Sequence, residues 1–259
     1  ISSGGFSSVY SIHDIKTGEK LAAKIITSHK DESTYKRMIN REIRIMIYCQ
    51  HPTIIKFLGY SRKDFNDDKN ITIFMELYEK GSLDEFLKKA RNGLSEDLFE
   101  DTNRQIILVG IARGMMYLHQ HQIIHRDLKP ANILLDKLLR PILTDFGLSK
   151  LYTNDQIISQ SQQCGTSVYM APEVFESTHY NGKADVYSFG IIMYEVITGS
   201  IPYPVFQSGK MTPIQFANKV VYEDYRPKFH IKVKKPIKKL IEKCWSKNPS
   251  DRPSFEMIF

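Results

Sequence analysis

Cysteine is scarce in this chain: three in 259 residues, at Cys49, Cys164 and Cys244. The number is odd, the spacing is wide and there is no Cys-x-x-Cys, so neither a disulfide framework nor a zinc site is suggested, and a reducing compartment is the expected home. Long apolar runs are absent too. None approaches the roughly 20 residues that cross a bilayer, and no charged-then-apolar start resembles a signal peptide, so the chain is expected to be soluble, without a membrane span. Acidic residues are outnumbered, 29 against 36 lysines and arginines, for a formal charge of +7. That excess could mark a nucleic-acid or anionic-membrane binder, and seven lysines fall between Lys228 and Lys243. The pattern within that run argues otherwise. Ile237, Leu240, Ile241, Cys244 and Trp245 recur at helical spacing, which leaves Lys238, Lys239 and Lys243 on a solvated face, so a structural helix is expected and no nucleic-acid partner.

What is present is an ordinary globular composition, 42% hydrophobic and 25% charged, long enough for one large core or two smaller ones. Strand-like segments gather early, at Val9–Ile12, Lys20–Ile26, around Phe57 and at Ile71–Met75. Helical patterns follow at Ser82–Ala90 and roughly Asp101–His121, the latter with Leu108, Ile111, Met115 and Leu118 on one face. Between two apolar runs lies the densest chemistry of the chain, Ile124-His125-Arg126-Asp127-Leu128-Lys129-Pro130-Ala131-Asn132. Asp127 can orient a hydroxyl and take its proton, Lys129 can neutralise a transferring phosphoryl group, and Asn132 can ligate a divalent cation through its carbonyl oxygen. Thirteen residues after Asn132 comes Asp145-Phe146-Gly147, whose carboxylate completes a possible Mg²⁺ site.

His-Arg-Asp-Leu-x-x-x-Asn followed at this distance by Asp-Phe-Gly is similar to the signature of the protein kinases. The resemblance extends in both directions along the chain. Ile1 to Tyr10 sits where that family carries Gly-x-Gly-x-x-Gly-x-Val; the middle glycine, Gly4, is kept, and Ser2 and Ser7 hold the outer positions. Leu21-Ala22-Ala23-Lys24 resembles Val-Ala-Ile-Lys, which makes Lys24 the partner of the α- and β-phosphates, and Glu42, in a charged helical segment, the carboxylate that positions Lys24. Glu76-Leu77-Tyr78 before Gly81-Ser82-Leu83 looks like the interlobe hinge. By resemblance Met75 guards the back of the pocket, backbone groups of Glu76 and Tyr78 bond adenine, Val9, Ala22 and Leu134 sandwich the purine, and Ile1, Gly4 and Ser82 complete the ATP-binding set.

Further along, Leu148 to Gln163 is polar and unpatterned, like an activation segment, and ends at Gly165-Thr166 and Ala171-Pro172-Glu173. The resemblance implies structural roles for Thr166, for Glu173 paired with Arg252, and for Asp185 beneath the catalytic loop. Ser161 first and Ser159 second are the expected phosphorylation sites, with Arg126 as the phosphate's partner. Asp185-Val-Tyr187-Ser-Phe-Gly190 and Cys244-Trp245-x-x-x-Pro249-x-x-Arg252-Pro253 resemble tyrosine kinases and their tyrosine-kinase-like serine/threonine relatives, and Lys129 and Thr166 favour the latter. The expectation is therefore an α+β two-lobe fold of one domain, residues 1–259, with a small antiparallel-sheet lobe over 1–77, a hinge at 78–81 and a larger helical lobe over 82–259. It implies ATP and Mg²⁺ as cofactors, protein substrates as partners, a cytoplasmic setting and a longer parent protein. Two rivals stand beside it: a pseudokinase scaffold, motivated by Ser2 and Ser7, and a dual-specificity kinase. The charged chemistry at Lys24, Glu42, Asp127, Lys129, Asn132 and Asp145 is complete, which speaks against the scaffold.

Overall fold

The computed structural model describes residues 2–3, 7–27, 32–95, 100–146, 149–151, 167–176 and 180–259, with backbone alone for 2–3, 32–38 and 150–151. Its first part is a five-stranded antiparallel sheet with one helix. The strands are β1 (Ser2–Ser3), β2 (Ser7–His13), β3 (Lys20–Ile26), β4 (Phe57–Ser61) and β5 (Ile71–Glu76), ordered β1-β2-β3-β5-β4, and the helix is α1 (Glu32–Tyr48). Alternation in β3 sets the faces: Ala22 and Lys24 share one side, and the register pairs Ala22 with Met75 and Lys24 with Val9 and Ile73. Those pairings gather onto one face the apolar wall and the lysine expected at a nucleotide site.

The second part is helical. After α2 (Leu83–Arg91) and α3 (Asp101–Gln120) come the short strands β6 (Ile123–Ile124), β7 (Ile133–Leu135), β8 (Pro141–Leu143) and β9 (Lys150–Leu151). Five more helices follow, α4 (Pro172–Glu176), α5 (Lys183–Thr198), α6 (Pro204–Gln207), α7 (Pro213–Tyr222) and α8 (Lys235–Cys244), then α9 (Phe255–Ile258). α5 is buried from Ala184 to Val196, as its nearly unbroken apolar sequence requires, and the other helices pack around it. The lysine-rich α8 lies as its periodicity predicts, with Ile241 and Cys244 buried and Lys238, Lys239 and Lys243 exposed.

Two glycines decide how close α3 comes to the catalytic strands. A Cβ on Gly114 would lie 2.8 Å from Leu143 Cδ1 and 2.6 Å from Thr53 Oγ1, and one on Gly110 would lie 2.5 Å from Pro141. Their lack of a side chain lets α3 rest directly on β8. One continuous core joins the two parts, running from Ala22 and Met75 through Ile54 and Leu143 to Val186 and Trp245. Among the described residues no helix is long and apolar enough to cross a membrane.

Candidate active site

The loop between β6 and β7 is held from below by a carboxylate. Asp185, in the first turn of α5 and 1% exposed, accepts the backbone N–H of His125 at Oδ2 and of Arg126 at Oδ1, both at 2.9 Å. His119 Nε2 lies 2.9 Å from the same Oδ2. Burial pushes the Asp185 carboxyl up, but the hydrogen bond and charge of His119, the charge of His125 and the Arg126 N–H outweigh it and hold the group below its usual range. These bonds stabilise an unusual backbone: Arg126 has φ of 70°, a left-handed conformation that costs a non-glycine residue about 1 kcal/mol or more. The turn brings Asp127 into the cleft.

Around Asp127 the polar groups converge. Its Oδ2 accepts from Lys129 Nζ at 2.7 Å and from Asn132 Nδ2 at 3.0 Å, and Asn132 Nδ2 also reaches the Asp127 carbonyl at 2.9 Å. Oδ1 takes no hydrogen bond from the described chain, which leaves it open to an incoming hydroxyl. Asn132 is only 6% exposed, and its amide nitrogen is spent on Asp127, so its carbonyl oxygen is the free end. The short strands β7 and β8 hold Asn132 and Thr144 together, the Thr144 N–H donating to the backbone carbonyl of Asn132 at 3.0 Å, which leaves the side-chain Oδ1 untouched. One residue on, Asp145 also has positive φ, 66°. Phe146 behind it is fully buried with its ring centroid 5.5 Å from that of His125.

Opposite this loop, β3 and α1 supply the ion pair. Lys24 Nζ lies 2.6 Å from Glu42 Oε1 and 3.2 Å from Asp145 Oδ1, so the lysine joins the sheet, the helix and the second carboxylate of the site. Burial alone would lower the Lys24 ammonium; the charges of Glu42 and Asp145 override it and hold the lysine above its ordinary range. Glu42, 4% exposed, is moved the other way by burial, which raises it despite Lys24, and the nearby Asp145 charge adds to the rise. Asp145, also opposed by burial, is held low by Lys24.

Val9 and Leu134 are half-buried and pack against the core that holds Ala22 and Met75, which are 7% and 5% exposed. The Glu76 N–H is taken by the Lys56 carbonyl at 3.1 Å, whereas the Tyr78 N–H donates to nothing within the described chain and is free for a ligand acceptor. Ser82 caps a helix: its hydroxyl oxygen accepts the Glu85 N–H at 3.2 Å and the Glu85 side chain accepts the Ser82 N–H, a capping box that starts α2. Ile1, Gly4, Ser159, Ser161 and Thr166 lie outside the described residues.

The oxygen donors left open suit a hard cation. Asp145 offers a partly exposed carboxylate and Asn132 a carbonyl oxygen, and Mg²⁺ takes one or two protein oxygens of this kind with water and phosphate completing its shell. Among the described residues no group of three or more His, Cys, Asp or Glu gathers as a cage that could hold a metal unaided.

Away from the cleft, Arg252 pairs bidentately with Glu173, at 2.6 and 2.8 Å, as expected from position. Arg126 does not face solvent alone: its Nε donates to the Tyr180 hydroxyl at 2.6 Å, with the guanidinium carbon 5.4 Å from that ring's centroid. Sequence reasoning missed Tyr180 and His119. Neither stands near its partner in the chain, the separations being 54 and 66 residues, so no local pattern announces them.

Comparison with known proteins adds an independent line. A family model described as the protein kinase domain matches residues 1–259. The chain is 32% identical to the serine/threonine-protein kinase STY17 of Arabidopsis thaliana over 93% of its length and 39% of that protein. It is 35% identical to the serine/threonine/tyrosine-protein kinase HT1 of the same plant, over 99% of the chain and 62% of the relative. With the dual specificity protein kinase shkB of Dictyostelium discoideum it shares 33% identity over 100% of the chain and 38% of that protein. The chain thus spans between 38% and 62% of the length of these three relatives.

Proposed function

Since the chain belongs to the protein kinase family, and relatives such as STY17 are named serine/threonine-protein kinases, we propose that it transfers the γ-phosphoryl group of ATP to serine or threonine hydroxyls of protein substrates. The observation that carries this reading is the convergence of Lys129 and Asn132 on one oxygen of Asp127 while the other stays open. In the proposed mechanism Asp127 Oδ1 accepts the hydrogen of the substrate hydroxyl and aims that oxygen at the phosphoryl group, taking the proton as the new P–O bond forms. Lys129, 2.7 Å from the same carboxylate, lies where a transferring phosphoryl group would sit and offsets its charge. Lys24, kept charged and aimed by Glu42, binds the α- and β-phosphates. Asn132 and Asp145 are the residues that would hold Mg²⁺, which when bound neutralises phosphate charge.

The adenine ring would lie among Val9, Ala22, Leu134 and Met75, hydrogen-bonded by the open Tyr78 N–H and by the backbone of Glu76. The division into a lobe over 1–77, a hinge over 78–81 and a lobe over 82–259 follows from that placement, and so does a cytoplasmic setting where ATP and Mg²⁺ are plentiful. A second specificity has one point in its favour: HT1 and shkB carry tyrosine or dual specificity in their names. Labelled ATP with Mg²⁺ and a generic protein acceptor, followed by phosphoamino-acid analysis, tests both. Phosphoserine and phosphothreonine are expected, with no transfer in excess chelator; phosphotyrosine as the main product would overturn the specificity, and absence of any transfer would leave the scaffold reading standing.

A further inference from the structure

Two of the supports of the backbone turn that delivers Asp127 differ in kind, beside the Ser149 hydroxyl that donates to the His125 carbonyl at 3.1 Å. One is Asp185 beneath the loop, which holds the N–H groups of His125 and Arg126. The other acts on the side chain of Arg126. Its Nε–H points into the Tyr180 hydroxyl at 2.6 Å, and the guanidinium carbon stands 5.4 Å from the centroid of the same ring. Hydrogen bonding and cation–π attraction therefore act on one group from one residue. Tyr180 is itself packed on the core beside α5, so the contact ties the arginine to the rigid part of the helical lobe.

Arg126 is poorly placed to hold itself. Its φ of 70° is a conformation that a long side chain adopts at a cost, and the residue relaxes toward ordinary backbone geometry unless its neighbours over-determine it. A change at Arg126 moves Asp127 directly, because the two are adjacent, and a displacement of about 1 Å at a reacting group can cost roughly 10²-fold in rate. The contact with Tyr180 uses only neutral groups around the guanidinium, and it spends Nε while leaving both terminal nitrogens without a partner in the described chain.

We propose that Tyr180 is a positioning residue for phosphoryl transfer: its hydroxyl and ring hold the Arg126 guanidinium, and through it the left-handed turn that aims Asp127, without needing a phosphate group on the chain. The proposal rests on the reading of Asp127 as the group that meets the substrate hydroxyl. It further means that a phosphate arriving near Arg126 would meet the two terminal nitrogens and add to a contact already made.

The test uses the full chain after phosphatase treatment, with Tyr180→Phe, Tyr180→Leu, Arg126→Met, the Tyr180→Phe/Arg126→Met double variant and Asp127→Asn. Tyr180→Phe keeps the ring and removes the acceptor, so kcat should fall roughly 10- to 100-fold, the scale of one hydrogen bond to a charged group, with KM for ATP unchanged. Tyr180→Leu should fall further. In the Arg126→Met background Tyr180→Phe should have no additional effect, since Tyr180 acts through that arginine. Hydrogen exchange at the Arg126 amide should quicken in Tyr180→Phe at an unchanged melting temperature, which reads the loop independently of turnover. Unchanged kcat and exchange in Tyr180→Phe, a defect confined to KM for ATP, or additive losses in the double variant would each overturn the proposal. Asp127→Asn separates the two readings: if it stays active the functional assignment fails, and if it is inactive while Tyr180→Phe is normal only the role of Tyr180 fails.

Discussion

Lys24 and Arg252 each bury a positive charge 2.6 Å from a glutamate oxygen, yet the two pairs leave different amounts of the cation unspent. Arg252, with a side chain 0% exposed, uses every N–H it has. Nε meets the Ser246 carbonyl, Nη1 meets Glu173 and the Lys183 carbonyl, and Nη2 meets Glu173 and the Lys247 carbonyl, while the Tyr187 ring lies 5.2 Å from the guanidinium carbon. Nothing is left for a ligand. Among the described residues Lys24 bonds Glu42 and Asp145 and no third group, and of those two Asp145 is 44% exposed at its side chain. A saturated cation fastens a fold, whereas an unsaturated one held in place by buried neighbours is ready to take a phosphate oxygen.

If that contrast is right, the two cations should fail differently when replaced. Lys24→Met is expected to lower kcat/KM by roughly 10²- to 10³-fold, the scale seen when one preorganised charge donor is removed, with a smaller loss of melting temperature than Arg252→Gln shows. The loss stays smaller because burial already raises the Glu42 carboxyl, so the group left behind is more readily neutralised. A melting-temperature loss as large as the activity loss, read by calorimetry beside steady-state kinetics, would erase the distinction. Arg252→Gln should show the reverse. Leaving Glu173 without its buried partner costs about 3–5 kcal/mol of stability, while kcat per folded molecule stays near normal. Urea denaturation alongside active-site titration would reveal this, and an Arg252→Gln protein of full stability would mean that the saturated network contributes little.

A smaller effect concerns pH. Asp185 is held below its ordinary value of 3.8, so the stability it contributes is present above that value and is lost as pH falls through its folded one. Lys24, held above 10.5, contributes stability that is complete below that value and is lost only as pH rises through its own folded one. Between them lies the range in which both supports act. Urea titrations from pH 3 to 7 should give Asp185→Asn a shallower acid limb than the parent; equal slopes would remove Asp185 from the account of the loop.

The same contrast explains how much of the molecule its sequence disclosed. Groups that act within one short segment were legible: Asp127, Lys129 and Asn132 lie in six residues, and the lysines of α8 sort by helical period. Lys24 and Glu42 were placed by resemblance and Asp145 by its carboxylate following an apolar run, and the structure brings the three together. Contacts made across the fold were not legible, because Tyr180 and His119 reach their partners only after α3, α5 and the chain before α5 have packed. Ser82 shows a third case. Ser82-x-x-Glu85 is a capping box in plain view, a local helix signal that sequence reasoning passed over.

On the proposed reading, Asp127 meets the substrate hydroxyl in a site otherwise complete. Single-turnover transfer from labelled ATP by Asp127→Asn, measured beside ATP binding and thermal melting of the same protein, tests it most directly. The expected result is transfer slowed by roughly 10²- to 10⁴-fold with ATP affinity and melting temperature preserved, the range associated with losing a general base. Transfer at the parent rate in a folded, ATP-bound Asp127→Asn protein would contradict the account.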